Sequence, residues 1–248
     1  MSLAAIIRTT NNTYFSISPG SSHLRHEPQN QHQPASYGCS LLQLFIVDFE
    51  HEKVVIRSMH GTFLSARKHN ICVMSTDVNP KHWERFVLIG AGVNKLSIKT
   101  AHGLYINTNK NNNMIIQGDV REPFTFTFVP VSLKTSRGML LSASQDDNIT
   151  QVSRKVPSAD EIFHLDYLND AFYIRSSGNK FLCLTEGDNI RLAEKCNNED
   201  RFIFCKQGDF TLIRTMCNTF LSANQEEGSV IKQTKTIGPN EQFDIFPL

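Results

Sequence analysis

Histidines, paired carboxylates and cysteines are the residues of this chain that could do chemistry. His23, His26 and His32 sit in a segment rich in Gln, Pro and Ser. Imidazoles can ligate a metal, but gaps of two and five residues on an irregular segment preset no coordination geometry. The acid pairs Asp146-Asp147 and Glu226-Glu227 fall where hairpin tips are expected, so they read as solvated rather than as an acid/base couple, which would need a cleft to separate their pKa values. The six cysteines include no CxxC pair. GxSxG, HExxH and GxxxxGK[ST] are all missing from the sequence. The expectation is a protein that is not an enzyme, with no catalytic residue, no metal site and no cofactor.

The elements that would carry these residues come from a repeat. The pattern [IL]-[RK]-[ST]-x-x-[GN]-x-[FYL] occurs six times, starting at Ile7, Ile56, Ile98, Leu133, Ile174 and Ile213. The sixth position is always Gly or Asn (Asn12, Gly61, Gly103, Gly138, Asn179, Asn218), the residue types that enter a left-handed backbone at least cost. Apolar, basic and hydroxyl residues alternate before this turn, and a short apolar run follows it. Period two on both flanks predicts a β-hairpin at the head of each unit. A second Phe closes the units after an acidic residue, as Phe86, Phe124, Phe163, Phe202 and Phe243, with Phe45 as the displaced counterpart in the first unit. The mean repeat is about 41 residues, room for four short strands.

Two architectures accommodate six four-stranded units: a six-bladed propeller, or two barrels of three units each. WD dipeptides and Gly-Gly doublets, which propeller blades carry, are missing here. The hairpin followed by a terminal acidic-x-Phe suits two tandem β-trefoils, an all-β chain divided into residues 1–131 and 132–248. A His-rich insertion at 18–40 reads as a surface loop open to protein partners. The hairpin aromatics Phe63, Tyr105, Phe181 and Phe220 are expected to be buried together with the closing phenylalanines.

The phrases GTFLSA (61–66), GMLLSA (138–143) and NTFLSA (218–223), with HWERF (82–86) and NEQF (240–243), resemble fascins, the actin-bundling proteins built from tandem β-trefoils. That resemblance extends over essentially the whole chain. It implies a cytoplasmic, cytoskeleton-associated scaffold or adaptor bound to actin filaments or to another acidic polymer such as microtubules.

Charge supports the same expectation independently. Residues 1–131 hold 12 Lys plus Arg against 8 Asp plus Glu, and residues 132–248 hold 13 against 16. The first lobe is therefore +4 and the second −3, and eight of the nine histidines lie in the first. A basic lobe suits an acidic polymer surface. Arg67, Lys68, Lys81 and Lys110, outside the repeat's core positions, are the candidate polymer-binding residues. The basic residues of the repeat, Arg8, Arg57, Lys99, Lys134, Arg175 and Arg214, would form a ring of three per lobe, each covering an outer strand face and meeting a local acid.

A carbohydrate-binding, lectin-like trefoil is the alternative. Sugar-binding trefoils of the ricin type place Gln-x-Trp where this chain has acidic-x-Phe, which removes the stacking ring. Nucleic acid is not expected as a partner, since the sequence pI is near 7.7 and no basic run exceeds Arg67-Lys68-His69. No membrane span is expected either, because the longest apolar stretch, 41–47, is far below the roughly 18 residues a crossing helix needs. The opening MSLAAIIRTTNNTYF has no basic start or long apolar segment, so a cytoplasmic location is expected.

Overall fold

The computed structural model describes the chain apart from residues 12, 18–23, 29–42, 51, 68–71, 78, 110–113, 119, 145, 186, 188 and 225, and the side chains of 25–28 and 117. Among the described residues there is no α-helix, and no helix long and apolar enough to cross a membrane. The chain divides into two compact units, Ser2–Phe128 and Val129–Leu248, with Met1 grouped with the second. Val131, assigned to the first lobe by the expected boundary, pairs with Phe163 and Pro247 in the second unit.

The first unit contains β1 (Ser2–Arg8), β2 (Thr13–Ser16), β3 (Arg25–Pro28), β4 (Leu44–Glu50), β5 (Lys53–Ser58), β6 (Phe63–Ser65), β7 (Val73–Ser75), β8 (Arg85–Gly92), β9 (Lys95–Lys99), β10 (Tyr105–Thr108), β11 (Met114–Gln117) and β12 (Phe124–Phe128). Antiparallel pairing runs β1-β4-β5-β8-β9-β12 and returns to β1, closing a six-stranded barrel. The hairpins β2-β3, β6-β7 and β10-β11 branch from β1, β5 and β9. Closure removes the exposed sheet edge that an open all-β unit would present.

The second unit contains β13 (Val131–Thr135), β14 (Leu140–Ala143), β15 (Ile149–Val152), β16 (Phe163–Leu168), β17 (Ala171–Ser176), β18 (Phe181–Leu184), β19 (Ile190–Ala193), β20 (Phe202–Gln207), β21 (Phe210–Thr215), β22 (Phe220–Ser222), β23 (Lys232–Thr234) and β24 (Gln242–Pro247). The ring β13-β16-β17-β20-β21-β24 closes in the same way, with hairpins β14-β15, β18-β19 and β22-β23. The fold is all-β and trefoil-like, in tandem.

Each part of the repeated pattern has a physical task. The hydroxyl residue's N–H donates across the turn to the carbonyl four residues on, as in Ser58 to Thr62 (2.8 Å), Thr100 to Leu104 (2.7 Å) and Thr215 to Thr219 (2.8 Å). At Ser58 and Thr215 the side-chain oxygen closes the same turn with a hydroxyl at 2.7 and 2.6 Å. Gly61, Gly103, Gly138, Asn179 and Asn218 all have φ between 61° and 85°, while Asn12 lies outside the described residues. Asn218→Ala is therefore expected to cost about 1 kcal/mol of stability, because a Cβ with no local polar compensation is strained there, whereas Asn218→Gly should be nearly neutral. Thermal unfolding of the two variants measures the difference.

The closing phenylalanines form the core: Phe45, Phe86, Phe124, Phe163, Phe202 and Phe243 are all 0% exposed. The hairpin aromatics correct the expectation. Tyr105 is buried, but Phe63, Phe181 and Phe220 are only half-buried. Arg57 lies opposite Phe63, Arg175 opposite Phe181 and Arg214 opposite Phe220, as Lys99 lies opposite Tyr105, whose ring is in addition covered by the Arg121 guanidinium at 5.2 Å. Directly opposed residues share a sheet face, so these rings lie on the outer side with the basic stems. Leu64, Leu182 and Leu221, one residue on, turn inward and are 0% exposed.

The insertion also departs from a simple loop. Arg25–Pro28 pairs along β2, from Ser16 opposite Arg25 to Thr13 opposite Pro28. Leu24 is buried at 2% exposure, and it anchors the entry to that strand. Apolar Leu24 beside a basic, acidic and proline mixture gives no period-two signal, which is why the strand is hidden in the sequence. His26 belongs to β3, whereas His23, His32 and the remainder of 18–40 lie outside the described residues.

Candidate functional site

In the first unit the chain leaves β6 at Ser65, passes Ala66 and Arg67, returns through β7 to Asp77, and enters a 3-10 turn at His82–Glu84 before β8. Glu84, fully buried, holds this turn. Its Oε1 accepts from Ser65 Oγ at 2.6 Å and its Oε2 from the Lys81 N–H at 2.8 Å. Ala66 N–H also donates to the Trp83 carbonyl at 2.9 Å, fixing the turn beside Arg67.

The same device recurs in the second unit, where it explains the acid before each closing Phe. Glu161 accepts from Ser142 Oγ (2.6 Å) and the Ser158 N–H (2.8 Å). Asp200 accepts from the N–H groups of Leu184 (2.8 Å) and Asn197 (2.7 Å), and Glu241 from that of Gly238 (2.6 Å). All are buried carboxylates engaged in backbone support. Burial opposes ionisation of Glu161, but hydrogen bonds from Ser142 and Ser158, with the charge of Arg154, outweigh it and hold its carboxyl below its ordinary pKa.

Two candidate polymer-binding residues meet at one point. Arg67 Nη2 lies 2.8 Å and Lys81 Nζ 3.2 Å from the same oxygen, Asp77 Oδ2. Their side chains stay 51% and 62% exposed, against 31% for Asp77. Hydrogen bonds from Lys81 and Ser75, then the neighbouring charges of Lys81 and Arg67, keep the Asp77 carboxyl below its ordinary pKa. Two cations against one anion leave the trio net positive. The other two candidates, Lys68 and Lys110, lie outside the described residues.

Beside Lys81 is a ring cluster that sequence reasoning missed. Trp83 stacks on His102 with centroids 5.6 Å apart and planes 29° apart, and His82 meets Trp83 and His102 edge-on at 5.6 and 5.9 Å. His82 and His102 are exposed and Trp83 is half-buried. Two of these rings come from adjacent residues and the third from the turn after β9, so only the closed barrel brings them together. The available signal was an aromatic residue at a position the turn does not need to bury.

The basic residues of the repeat do not form a common clasp among the described contacts. Arg57 Nε pairs with Asp48 at 2.8 Å and Arg175 Nε with Asp166 at 3.0 Å, each across neighbouring strands. Asp48 lies opposite Val55 and Asp166 opposite Tyr173, two residues before Arg57 and Arg175; Cys205 lies opposite Leu212, two before Arg214. Arg214 Nε is buried without a hydrogen-bond partner, and its Nη1 reaches Asn218 Oδ1 at 3.4 Å. Of the acid pairs, Asp147 forms an ion pair with Lys180, Asp146 bonds Ser144 and Asn148, and Glu227 accepts from the Ser153 N–H.

Cys72, Cys183, Cys196, Cys205 and Cys217 are free, and Cys39 lies outside the described residues. Burial pushes the Cys72 thiol up to about 12, and burial with the nearby Asp200 and Cys196 does the same for Cys183. Cys217 is exposed at a hairpin turn. A thiol-specific reagent at neutral pH should modify Cys217 first and reach Cys72 and Cys183 only on unfolding, a sequence readable by peptide mass mapping. Among the described residues no group of three or more His, Cys, Asp or Glu could hold a metal ion.

Residues 130–245 match the family model of the fascin domain. None of the curated proteins compared with the chain matches it. A solved structure described as "Structure and mode of action of a mosquitocidal holotoxin" aligns at 12% identity and a TM-score of 0.45, covering 99% of this chain and 34% of that one. The chain thus spans about a third of the length of that toxin chain.

Proposed function

We propose that this chain, which matches the fascin-domain model over residues 130–245, is a non-enzymatic adaptor that binds a cytoskeletal filament, actin or microtubule, through its first unit. The fascin-domain match over the second unit is the observation that carries the adaptor reading, and the +4 charge of residues 1–131 is what assigns binding to the first unit. Each unit is read as a β-trefoil of three four-stranded repeats averaging about 41 residues, six in all. A cytoplasmic, cytoskeleton-associated location belongs to the same reading.

Two features of the site support it. The buried carboxylates Glu84, Glu161, Asp200 and Glu241 are committed to holding turns, which favours binding over catalysis. The first lobe is +4, and Arg67 and Lys81 present exposed cations from it. Contacts between exposed charges are screened over about 10 Å at 0.1 M ionic strength, so filament binding should weaken as salt is added.

Co-sedimentation of the intact chain with actin filaments and with microtubules, each over a salt series, tests the proposal. The expected result is saturable pelleting with at least one polymer, falling with salt. A chain that stays in the supernatant with both polymers at low salt contradicts it.

A further inference from the structure

The rings around Trp83 occupy positions where the fold asks for nothing apolar. Four comparable 3-10 turns are fully described, His82–Glu84, Ala159–Glu161, Asn198–Asp200 and Pro239–Glu241. Their last residue is always the buried acid. Their middle residue is Trp83 in the first and Asp160, Glu199 and Asn240 in the others; the two acids are exposed and the Asn is partly so. The residue before each turn is Ser158, Asn197 or Gly238 in the second unit, but Lys81 here. His102 likewise holds a turn position filled by His60, Arg137, Gly178 and Cys217 in other repeats. Neither turn geometry nor core packing therefore accounts for a Trp flanked by two His and a Lys.

We propose that Trp83, with His82 and His102, is the anchor of a docking surface for an acidic segment of a protein filament, with Arg67 and Lys81 receiving the segment's carboxylates. This rests on the filament-binding reading above and goes beyond it in naming the residues that carry the affinity. Charge complementarity selects the occupant. Asp77 takes one contact from each cation and Ser75 Oγ a second from Arg67 Nη2 at 3.0 Å; among the described contacts the other N–H donors of the five-donor guanidinium and the three-donor ammonium are left for a partner. Half-buried Trp beside exposed Arg is the composition in which binding energy concentrates, because the ring excludes water from the neighbouring charged contacts.

The chain's single tryptophan is Trp83, so its emission reports this surface alone. Trp83→Asn is compatible with the fold, since Asn240 fills the equivalent slot. With whichever filament the intact chain binds, Trp83 emission should change saturably, and Trp83→Asn should bind at least about tenfold more weakly with an unchanged melting temperature. Asp77→Asn, which removes the one anion of the trio, should bind more tightly at low salt. Equal binding by intact chain and Trp83→Asn overturns the anchor while leaving filament binding in place. Weaker binding by Asp77→Asn argues against an acidic partner. If neither filament binds, the underlying reading fails and this inference with it; a Trp83 emission change on adding oligosaccharides would then assign the surface to a sugar.

Discussion

Phe163→Ala is expected to lower stability by about 3–5 kcal/mol, the range for deleting a large buried aromatic whose site cannot collapse around the void. Phe163 is 0% exposed at the start of β16, where its backbone pairs with both Val131 and Ser176, so the cavity would open between β13, β16 and β17. Closure of the barrel by these strands limits relaxation. Phe181→Ala removes the same ring from the half-buried outer face and should cost clearly less, since the remaining hollow is open to water. Chemical denaturation of the two variants distinguishes these cases. A loss below about 1 kcal/mol for Phe163→Ala would mean that the closing aromatics are not the core.

Glu161→Ala should have the next largest effect and a particular pH signature. The carboxylate is 0% exposed and accepts from Ser142, from the Ser158 N–H and hydroxyl, and from Arg154 at 3.3 Å. Its removal orphans the buried Ser142 hydroxyl, at about 1–3 kcal/mol, and leaves the half-buried Ser158 donors and exposed Arg154 to find water. Because the folded pKa of Glu161 lies below its unfolded value, its contribution is fully present above the ordinary carboxylate range and disappears as pH falls through the folded pKa. The intact protein should therefore lose stability on acidification more steeply than Glu161→Ala does. Melting temperatures from neutral pH down to about pH 3 measure both curves; parallel acid limbs would remove Glu161 from the account.

Much of this architecture is legible in residue spacing, because backbone demands repeat where side-chain identities drift. A turn that needs positive φ selects Gly or Asn at Gly61, Gly103, Gly138, Asn179 and Asn218, and a closed barrel needs one large inward ring per strand pair, hence Phe86, Phe163, Phe202 and Phe243. Period two alone does not say which face points inward. Phe63 and Leu64 are both apolar neighbours, and the cross-strand position of Arg57 places the aromatic outside. The acid before each closing Phe is visible in sequence, but its partners Ser65 and Ser142 lie 19 residues away, so their shared task appears only in three dimensions.

The candidate site was less legible. Arg67 and Lys81 stand out as charges away from the core pattern, yet Asp77, which joins them, carries no sequence signal of its own. Trp83 and His102 are separated by two strands and meet only because β8 and β9 bring their flanking turns to one place. Trp83 directly precedes a buried acid and a core Phe in sequence, a setting that conceals its partial exposure. The strand at Arg25–Pro28 is hidden for a related reason, since its composition is that of a loop while Leu24 and the β2 backbone supply the order.

Co-sedimentation of the double reversal Arg67→Glu with Lys81→Glu tests the central claim most directly. These side chains are largely exposed and make their contacts at the surface, so the reversal should leave the melting temperature close to that of the intact chain. Filament binding by the first unit should nevertheless be lost or strongly reduced at low salt, while reversal of Lys232 and Lys235, exposed on the acidic second unit, should change little. A folded Arg67→Glu, Lys81→Glu variant that pellets with actin or microtubules as well as the intact chain would contradict the account.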